Sequence, residues 1–169
     1  MSYFNSPLRQ RGSGMMEVMV SVLLLGIAVI GFAALQVRAV AVTGESSYRT
    51  QAMGIAQAFA EKVRANYAQL GTYSNASNWT TGTVPNCLTV ACSSTDLATY
   101  DIQTTLADTA AMLPGGTIKA QPCNGSTAMC IYVAWNKTTA GAGGTTDCVN
   151  SSGTYSSSSA DCVMMEVYL

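Results

Sequence analysis

The sequence predicts an α+β fold in which a long N-terminal α-helix packs on a small antiparallel β-sheet that disulfides staple together. Three observations predict it. Residues 18–35 carry no charge, and an amphipathic helical pattern follows as far as Leu70. Segments near the C-terminus alternate in the manner of strands. All six cysteines lie in the polar C-terminal part, so an oxidising compartment is expected.

The apolar segment, residues 18–35, contains one hydroxyl, Ser21. As a helix it is about 27 Å long, which is enough to cross the hydrocarbon core of a bilayer. Arg9 and Arg11 precede it, and the positive-inside preference keeps them in the cytoplasm while the C-terminal part crosses. The candidate membrane-helix residues are Val18, Gly26 and Leu35.

Three interpretations of the apolar segment compete. A secretory signal peptide is suggested by Ala39-Val40-Ala41, but cleavage there would make the leader about forty residues long, beyond the usual range. A plain signal anchor, holding a periplasmic enzyme or binding module, explains the apolar run but not the spacing of Gly12 and Glu17. The third interpretation begins from that spacing.

A cut after Gly12 makes Ser13 the first residue and Glu17 the fifth. The stretches "RQRG", "SGMME" and "VMVSVLLLGIAVIGFAALQ" resemble type IV prepilins, which have a short basic leader ending in Gly, a Glu at mature position five and an uninterrupted apolar helix. The resemblance implies a pilin-like fold, cleavage between Gly12 and Ser13 by the prepilin peptidase, and methylation of the new amino terminus.

Glu17 is the one carboxylate at the start of a segment that otherwise suits a membrane, where an unpaired charge is costly. In the prepilin interpretation, the new Ser13 amino group of one subunit pairs with Glu17 of a neighbour as apolar helices bundle. Pairing reduces the cost of burying the carboxylate. It also sets the axial register, because a misaligned subunit would leave that carboxylate unpaired.

The resemblance implies four segments: a leader peptide at 1–12, a transmembrane assembly helix at 13–36, its amphipathic continuation at 37–70, and a globular head at 71–169. "AFAEKVRANY" at 58–67 and the Leu-Pro-Gly-Gly ending at Gly116 further resemble the pilus modification protein PilV and its relatives. The head is expected in the periplasm while the helix sits in the inner membrane, and at the cell surface in the pilus, or fimbrium, after assembly.

The function implied is that of a minor pilin rather than an enzyme. Such a subunit joins other minor pilins to prime pilus assembly, and supports twitching motility, cell adhesion or DNA uptake. The implied partners are the prepilin peptidase, other minor and major pilins, and the inner membrane before assembly. A minor pseudopilin of a type II secretion system is the nearest alternative, since it would share the leader, the glutamate and the helix.

Composition excludes several kinds of chemistry. The chain has no histidine, which removes Ser-His-Asp and Cys-His catalysis and every histidine-containing metal site. Its net charge is −1 and no basic run follows Arg64, so direct nucleic-acid binding is not predicted. No two cysteines form a C-x-x-C pair. We therefore expect no metal, no cofactor and no catalytic residue.

The cysteines are the disulfide candidates: Cys87, Cys92, Cys123, Cys130, Cys148 and Cys162. The simplest prediction pairs each with its neighbour, although six cysteines allow many other pairings. Closing the loop from Cys148 to Cys162 would contribute about 3 kcal/mol in the chain-entropy model. This loop resembles the C-terminal disulfide loop of many pilins.

The secondary structure beyond the membrane is predicted from periodicity. Residues 71–95 and the Gly- and Ser-rich stretch 138–159 are expected to be loops, the second one mobile. Residues 96–113 fit a helix slightly better than a strand, and strands are expected at 117–120, 129–135 and 163–169. Arg64 and Asn66 are expected at a solvated helix end. The apolar stripe of the amphipathic helix comprises Tyr48, Ala52, Ile55, Phe59, Val63, Tyr67 and Leu70.

Overall fold

The computed structural model describes residues 14–142, 147–150, 154–155 and 161–168. The chain divides into two compact units, Met1–Gly44 and Glu45–Leu169, which we call the N-terminal and the C-terminal unit. Helix α1, Met15–Ala65, contributes residues to both. The second half of the long helix therefore belongs to the same unit as the sheet, and this unit begins earlier than the head predicted at residue 71.

Helix α1 ends at Ala65, before the predicted end at Leu70. Asn66 leaves the helical conformation, with φ −127° and ψ 47°. A 3-10 turn, Tyr67–Gln69, and the one-turn helix α2, Leu70–Tyr73, follow it. The region predicted as the loop 71–95 thus begins with the end of α2 and contains a second 3-10 turn, Ala76–Asn78.

Helix α3 spans Ser94–Met112, so the helical interpretation of residues 96–113 is confirmed. Ser93 caps its start, because the Ser93 hydroxyl accepts a hydrogen bond from the Asp96 amide at 3.1 Å. After the helix, Gly115 takes φ +64°, and an added Cβ there would lie 2.6 Å from the Asn136 carbonyl oxygen. At Gly116 it would lie 2.2 Å from the Thr109 carbonyl oxygen. Both glycines are needed for the tight turn that follows α3.

Three antiparallel strands form the main sheet in the order β1-β2-β5. They are β1, Thr117–Pro122, β2, Met129–Ala134, and β5, Cys162–Val167. The three predicted strands are therefore confirmed, with small changes at their ends. In the register of the sheet, Val133 lies between Ile118 of β1 and Val163 of β5.

A second, two-stranded sheet lies within the stretch predicted as a mobile loop. Strands β3, Thr139–Ala142, and β4, Asp147–Val149, pair in parallel. The loop prediction is wrong for these residues. Glycine- and serine-rich composition lowers strand propensity, but here β4 is covalently tied to β5 through the bond between Cys148 and Cys162. The predicted loop also covers residues 143–146, 151–153 and 156–159, which lie outside the described residues.

Strand β2 is buried on both of its faces. Met129, Ile131 and Val133 lie in a helix-facing core together with side chains of α1 and α3, such as Phe59 and Ile102. The intervening residues of β2 lie in a second, disulfide-facing core, which also contains Val149 and Ala140. Since neighbouring side chains of a strand point to opposite faces, one strand serves two cores.

Three disulfides join the cysteines in the neighbour-by-neighbour pairs: Cys87 with Cys92, Cys123 with Cys130, and Cys148 with Cys162. Four of the six cysteines line the disulfide-facing core. Its other members are mostly small, so these two cystines fill space that large apolar side chains occupy on the helix-facing side.

Candidate assembly site

The start of α1 holds the candidate assembly residue Glu17, in the first turn of the helix. The Glu17 amide donates to the Gly14 carbonyl oxygen at 2.9 Å, which begins the helical hydrogen-bond ladder. A carboxylate in this position interacts favourably with the positive end of the helix dipole. The Glu17 side chain is exposed and has no ion pair with any residue that the structure describes.

The predicted processing residues Gly12 and Ser13 lie outside the described residues, as do Arg9, Arg11 and the rest of the predicted leader at 1–12. The described chain begins at Gly14. The structure therefore places Glu17 on a helix but does not place it against the residue that is predicted to become the amino terminus.

The apolar segment, residues 18–35, is helical throughout and exposed along its whole length. Its large side chains are between 52% exposed, at Val18, and 72% exposed, at Ile30. The most apolar window of α1 has a mean hydropathy of 2.8, and none of that window is buried. By length and composition this helix can cross a membrane. Apolar residues on every side of a helix require lipid or other proteins to cover them.

The polar and small residues within the apolar segment do not interrupt the helix. The Ser21 hydroxyl donates to the Glu17 carbonyl oxygen at 2.7 Å, which satisfies the single hydroxyl that the sequence places there. Gly26 has open space around it, and α1 continues through it to Leu35 and beyond. The N-terminal unit therefore presents a carboxylate at the start of an apolar helix whose surface is open for lateral contacts.

A buried polar network at the end of α1 was not predicted, and it corrects the interpretation of Asn66. Asn66 is only 9% exposed, although a solvated helix end was expected. Its side-chain amide donates to the Ser94 carbonyl oxygen at 2.7 Å and to the Tyr73 hydroxyl at 3.3 Å. The Tyr73 hydroxyl in turn donates to the buried carboxylate of Asp101 at 2.6 Å. The network joins the end of α1 to α2 and α3.

Arg64, the other residue of that expectation, does lie on the surface, where its guanidinium pairs with Glu61. Burial raises the pKa of the Tyr73 hydroxyl, and the hydrogen bond to the Asp101 carboxylate raises it further. In the sequence, the helix end followed by Asn66, Tyr67, Ala68 and Gln69 looks like an ordinary exit. Ser94 is 28 residues from Asn66, and Asp101 is 28 residues from Tyr73, so periodicity contained no signal for these contacts.

The remaining features of the described chain offer no competing metal centre. Among residues 14–142, 147–150, 154–155 and 161–168, no group of three or more histidine, cysteine or acidic residues is arranged to hold a metal ion. The six cysteines are all bonded in the three disulfides.

A protein-family model described as Tt1218-like, type IV pilin Tt1218, matches residues 34–103. The match begins at the end of the apolar segment, includes the buried half of α1 and ends within α3. It does not include Gly12 or Glu17, on whose spacing the prepilin resemblance depends. The match supports a type IV pilin. Comparison with curated proteins gave no match, and neither did comparison with solved structures.

Proposed function

We propose that this chain is a minor type IV pilin of the PilV kind, a structural subunit and not an enzyme. It joins other minor pilins to prime pilus assembly, and thereby supports twitching motility, adhesion or DNA uptake. The observation that carries the proposal is the exposed apolar helix with Glu17 in its first turn, in a chain whose following segment matches a type IV pilin family model.

In this proposal the chain is made as a precursor. Arg9 and Arg11 hold the leader, residues 1–12, in the cytoplasm. The prepilin peptidase cuts between Gly12 and Ser13, and the new Ser13 amino group is then methylated. Cleavage changes the chemistry of this end of the chain, because it creates a cation four residues before the Glu17 carboxylate. The uncut precursor has no such group there.

Glu17 then acts in assembly through its charge. The exposed side chains of residues 18–35 favour lateral packing of apolar helices, which removes Glu17 from water. A carboxylate in that environment is tolerated when a cation accompanies it. The Ser13 amino group of a neighbouring subunit supplies the cation at one axial offset only. The pair therefore selects the register of the subunits more than it adds affinity.

The location follows from the same residues. Before assembly, the apolar helix lies in the inner membrane and the C-terminal unit lies in the periplasm. The three disulfides fit that oxidising compartment. After assembly, the subunit is in the pilus together with other minor and major pilins.

The mature N-terminus tests the processing step, and intact-mass spectrometry of the protein from membranes measures it. We expect a chain that starts at a methylated Ser13. A start at Val42 would instead show cleavage by signal peptidase, and an intact Met1 would show a plain anchor. Either of these results would contradict the proposal.

The charge of Glu17 is tested by Glu17→Gln, which keeps the size of the side chain. We expect the variant to remain in the membrane at normal level but to enter the pilus or its priming complex at least about tenfold less. Glu45→Gln, on the same helix but beyond the apolar segment, is the matched control and should assemble normally. The measurement is immunoblotting of sheared pili against the membrane fraction. Normal incorporation of Glu17→Gln would overturn the proposed role of the carboxylate.

A further inference from the structure

A cleft of about 260 Å³ lies in the C-terminal unit, at the end of α1. Its apolar part is formed by Leu70, Met129 and Val167. Met129 and Val167 belong to the helix-facing core and are 3% and 2% exposed, so this surface is fixed by the packing of the sheet. We call this cavity the Tyr67 cleft, after the aromatic residue on its rim.

Three hydroxyl groups surround the apolar part of the cleft, those of Tyr67, Ser74 and Thr127. None of the three makes a hydrogen bond to any residue within the described part of the chain. Tyr67 is 57% exposed, although the helical pattern predicted it on the buried stripe. An exposed aromatic ring and unpartnered hydroxyls therefore lie around one small apolar surface.

Both walls of the Tyr67 cleft are held rigidly. On the Tyr67 side, the amide of buried Asn66 bonds the Ser94 carbonyl oxygen, and the Gln69 amide donates to the Asn66 carbonyl oxygen at 3.0 Å. These bonds fix the 3-10 turn that carries Tyr67. A site whose walls are already ordered loses little conformational entropy when a ligand binds.

On the Thr127 side, the turn between β1 and β2 is closed by the disulfide between Cys123 and Cys130. The Cys123 amide donates to the Ala128 carbonyl oxygen at 2.9 Å. The Ala128 amide donates to the Ser126 hydroxyl at 3.0 Å. This covalent and hydrogen-bonded turn holds Thr127 at the rim.

We propose that the Tyr67 cleft binds a neutral sugar ring. A sugar ring has an apolar face that packs on an aromatic ring, and its hydroxyls donate and accept hydrogen bonds with other hydroxyls. None of the described residues that line the cleft is charged, which disfavours a phosphate, a metal ion or a charged peptide. Its volume, about 260 Å³, is just below the range of about 300 to 1,000 Å³ for sites that bind drug-sized molecules, so it suits one ring.

A peptide is the main competing ligand, since proline-rich segments also dock on exposed tyrosines. The three hydroxyls around the cleft favour a sugar, because a sugar ring can donate hydrogen bonds to them and accept hydrogen bonds from them. The inference does not depend on the proposed function, because it concerns residues of the C-terminal unit alone and binding is measured without pili.

Saturation-transfer difference NMR on the full chain tests the site. The protein is placed in nanodiscs of phosphatidylethanolamine and phosphatidylglycerol, without sugar-bearing detergent, and probed with the methyl glycosides of glucose, galactose, mannose and N-acetylglucosamine. We expect saturation of the ring protons of at least one glycoside. Tyr67→Ala should weaken its binding about tenfold, whereas Tyr67→Phe, which keeps the ring, should weaken it less.

Tyr168→Ala is the matched control, because Tyr168 is 69% exposed but does not line the cleft. It should leave glycoside binding unchanged, and near-ultraviolet circular dichroism should show that each variant is folded. Thr127→Ala removes one rim hydroxyl without touching the aromatic ring and should also weaken binding. The inference is overturned if no glycoside is saturated, if Tyr168→Ala weakens binding as much as Tyr67→Ala does, or if a proline-rich peptide binds and the glycosides do not.

Discussion

Two stretches of α1 both carry many apolar residues but have opposite surroundings. The large side chains of residues 18–35 are all at least 52% exposed. In the second stretch, residues 52–63, Ala52, Phe59 and Val63 are completely buried within the C-terminal unit. The two stretches differ in how their apolar residues are distributed around the helix. A helix with a single apolar stripe packs against its own protein, whereas a helix that is apolar all round needs lipid or other subunits.

Phenylalanines on the two stretches give the sharpest test of this comparison. Phe59→Ala removes a ring that packs edge-to-face on Trp79 at 4.9 Å and on Tyr73 at 5.7 Å. It should lower the free energy of unfolding of the C-terminal unit by about 3 to 5 kcal/mol. Phe32→Ala changes a side chain that is 62% exposed and should leave that free energy unchanged. Chemical denaturation in micelles, followed by near-ultraviolet circular dichroism, measures both. Equal losses would contradict the comparison.

The buried half of α1 depends on a sheet that disulfides support, which gives the second prediction. Replacing Cys148 and Cys162 together by serine opens a loop with a sequence separation of 14 and should cost about 3 kcal/mol. Both cysteines are almost completely buried, so unfilled space adds to that loss. The matched control replaces Cys87 and Cys92, whose loop has a separation of 5, and should cost about 2 kcal/mol. A larger loss in the control would show that the disulfide-facing core is not important for stability.

Substitutions at the end of the buried stretch should change the free energy of unfolding by a smaller amount. Asn66→Ala leaves the Ser94 carbonyl oxygen and the Tyr73 hydroxyl without their donor and should cost about 1 to 3 kcal/mol. Arg64→Ala, two residues earlier, removes only a surface ion pair and should cost less than about 0.5 kcal/mol. Denaturation of the two variants side by side measures the difference. If Arg64→Ala were the more damaging, the exit of α1 would depend on surface charge.

The same network makes the free energy of unfolding depend on pH in alkaline solution. This pH dependence is the smallest of the expected effects, because it is absent near neutral pH. The pKa of Tyr73 is raised in the folded protein, so the unfolded chain loses this proton first. The contribution of Tyr73 is therefore fully present below about pH 10 and falls as the pH rises above that value. Tyr73→Phe should flatten the decline of unfolding free energy with pH, and Tyr168→Phe, an exposed control, should not. An unchanged slope in Tyr73→Phe would count against the buried hydrogen bond to Asp101.

Local pattern was sufficient to predict much of the fold. The apolar segment, the buried stripe through Phe59, the helix at 96–113 and the three strands of the main sheet all follow from periodicity. The neighbour pairing of the cysteines is also what the structure contains. These features are local in sequence, so they are visible in short windows.

The features that sequence analysis missed depend on contacts between distant residues. Tyr67 continued the helical period but is exposed, because Asn66 turns the chain to reach Ser94. Strands β3 and β4 have the composition of a flexible loop but pair with each other. Contacts with distant residues hold them: the Ala140 amide donates to the Thr117 hydroxyl, and Cys148 is bonded to Cys162. For the candidate assembly site, the role of Glu17 stays a prediction, and the structure shows only that Glu17 lies in the first turn of α1. The predictions on Gly12 and Ser13 concern residues outside the described part of the chain.

The order of strands in the main sheet constrains when this protein can fold during its synthesis. Strand β2 is the middle strand, yet its second neighbour, β5, is separated from it in sequence by β3 and β4. A ribosome that has made β1 and β2 has therefore produced a hairpin in which the edge of β2 that later pairs with β5 is still open and can pair wrongly. The apolar segment is translated first and can enter the bilayer while the sheet is still incomplete. In the proposed membrane-anchored precursor, insertion would therefore precede completion of the C-terminal unit.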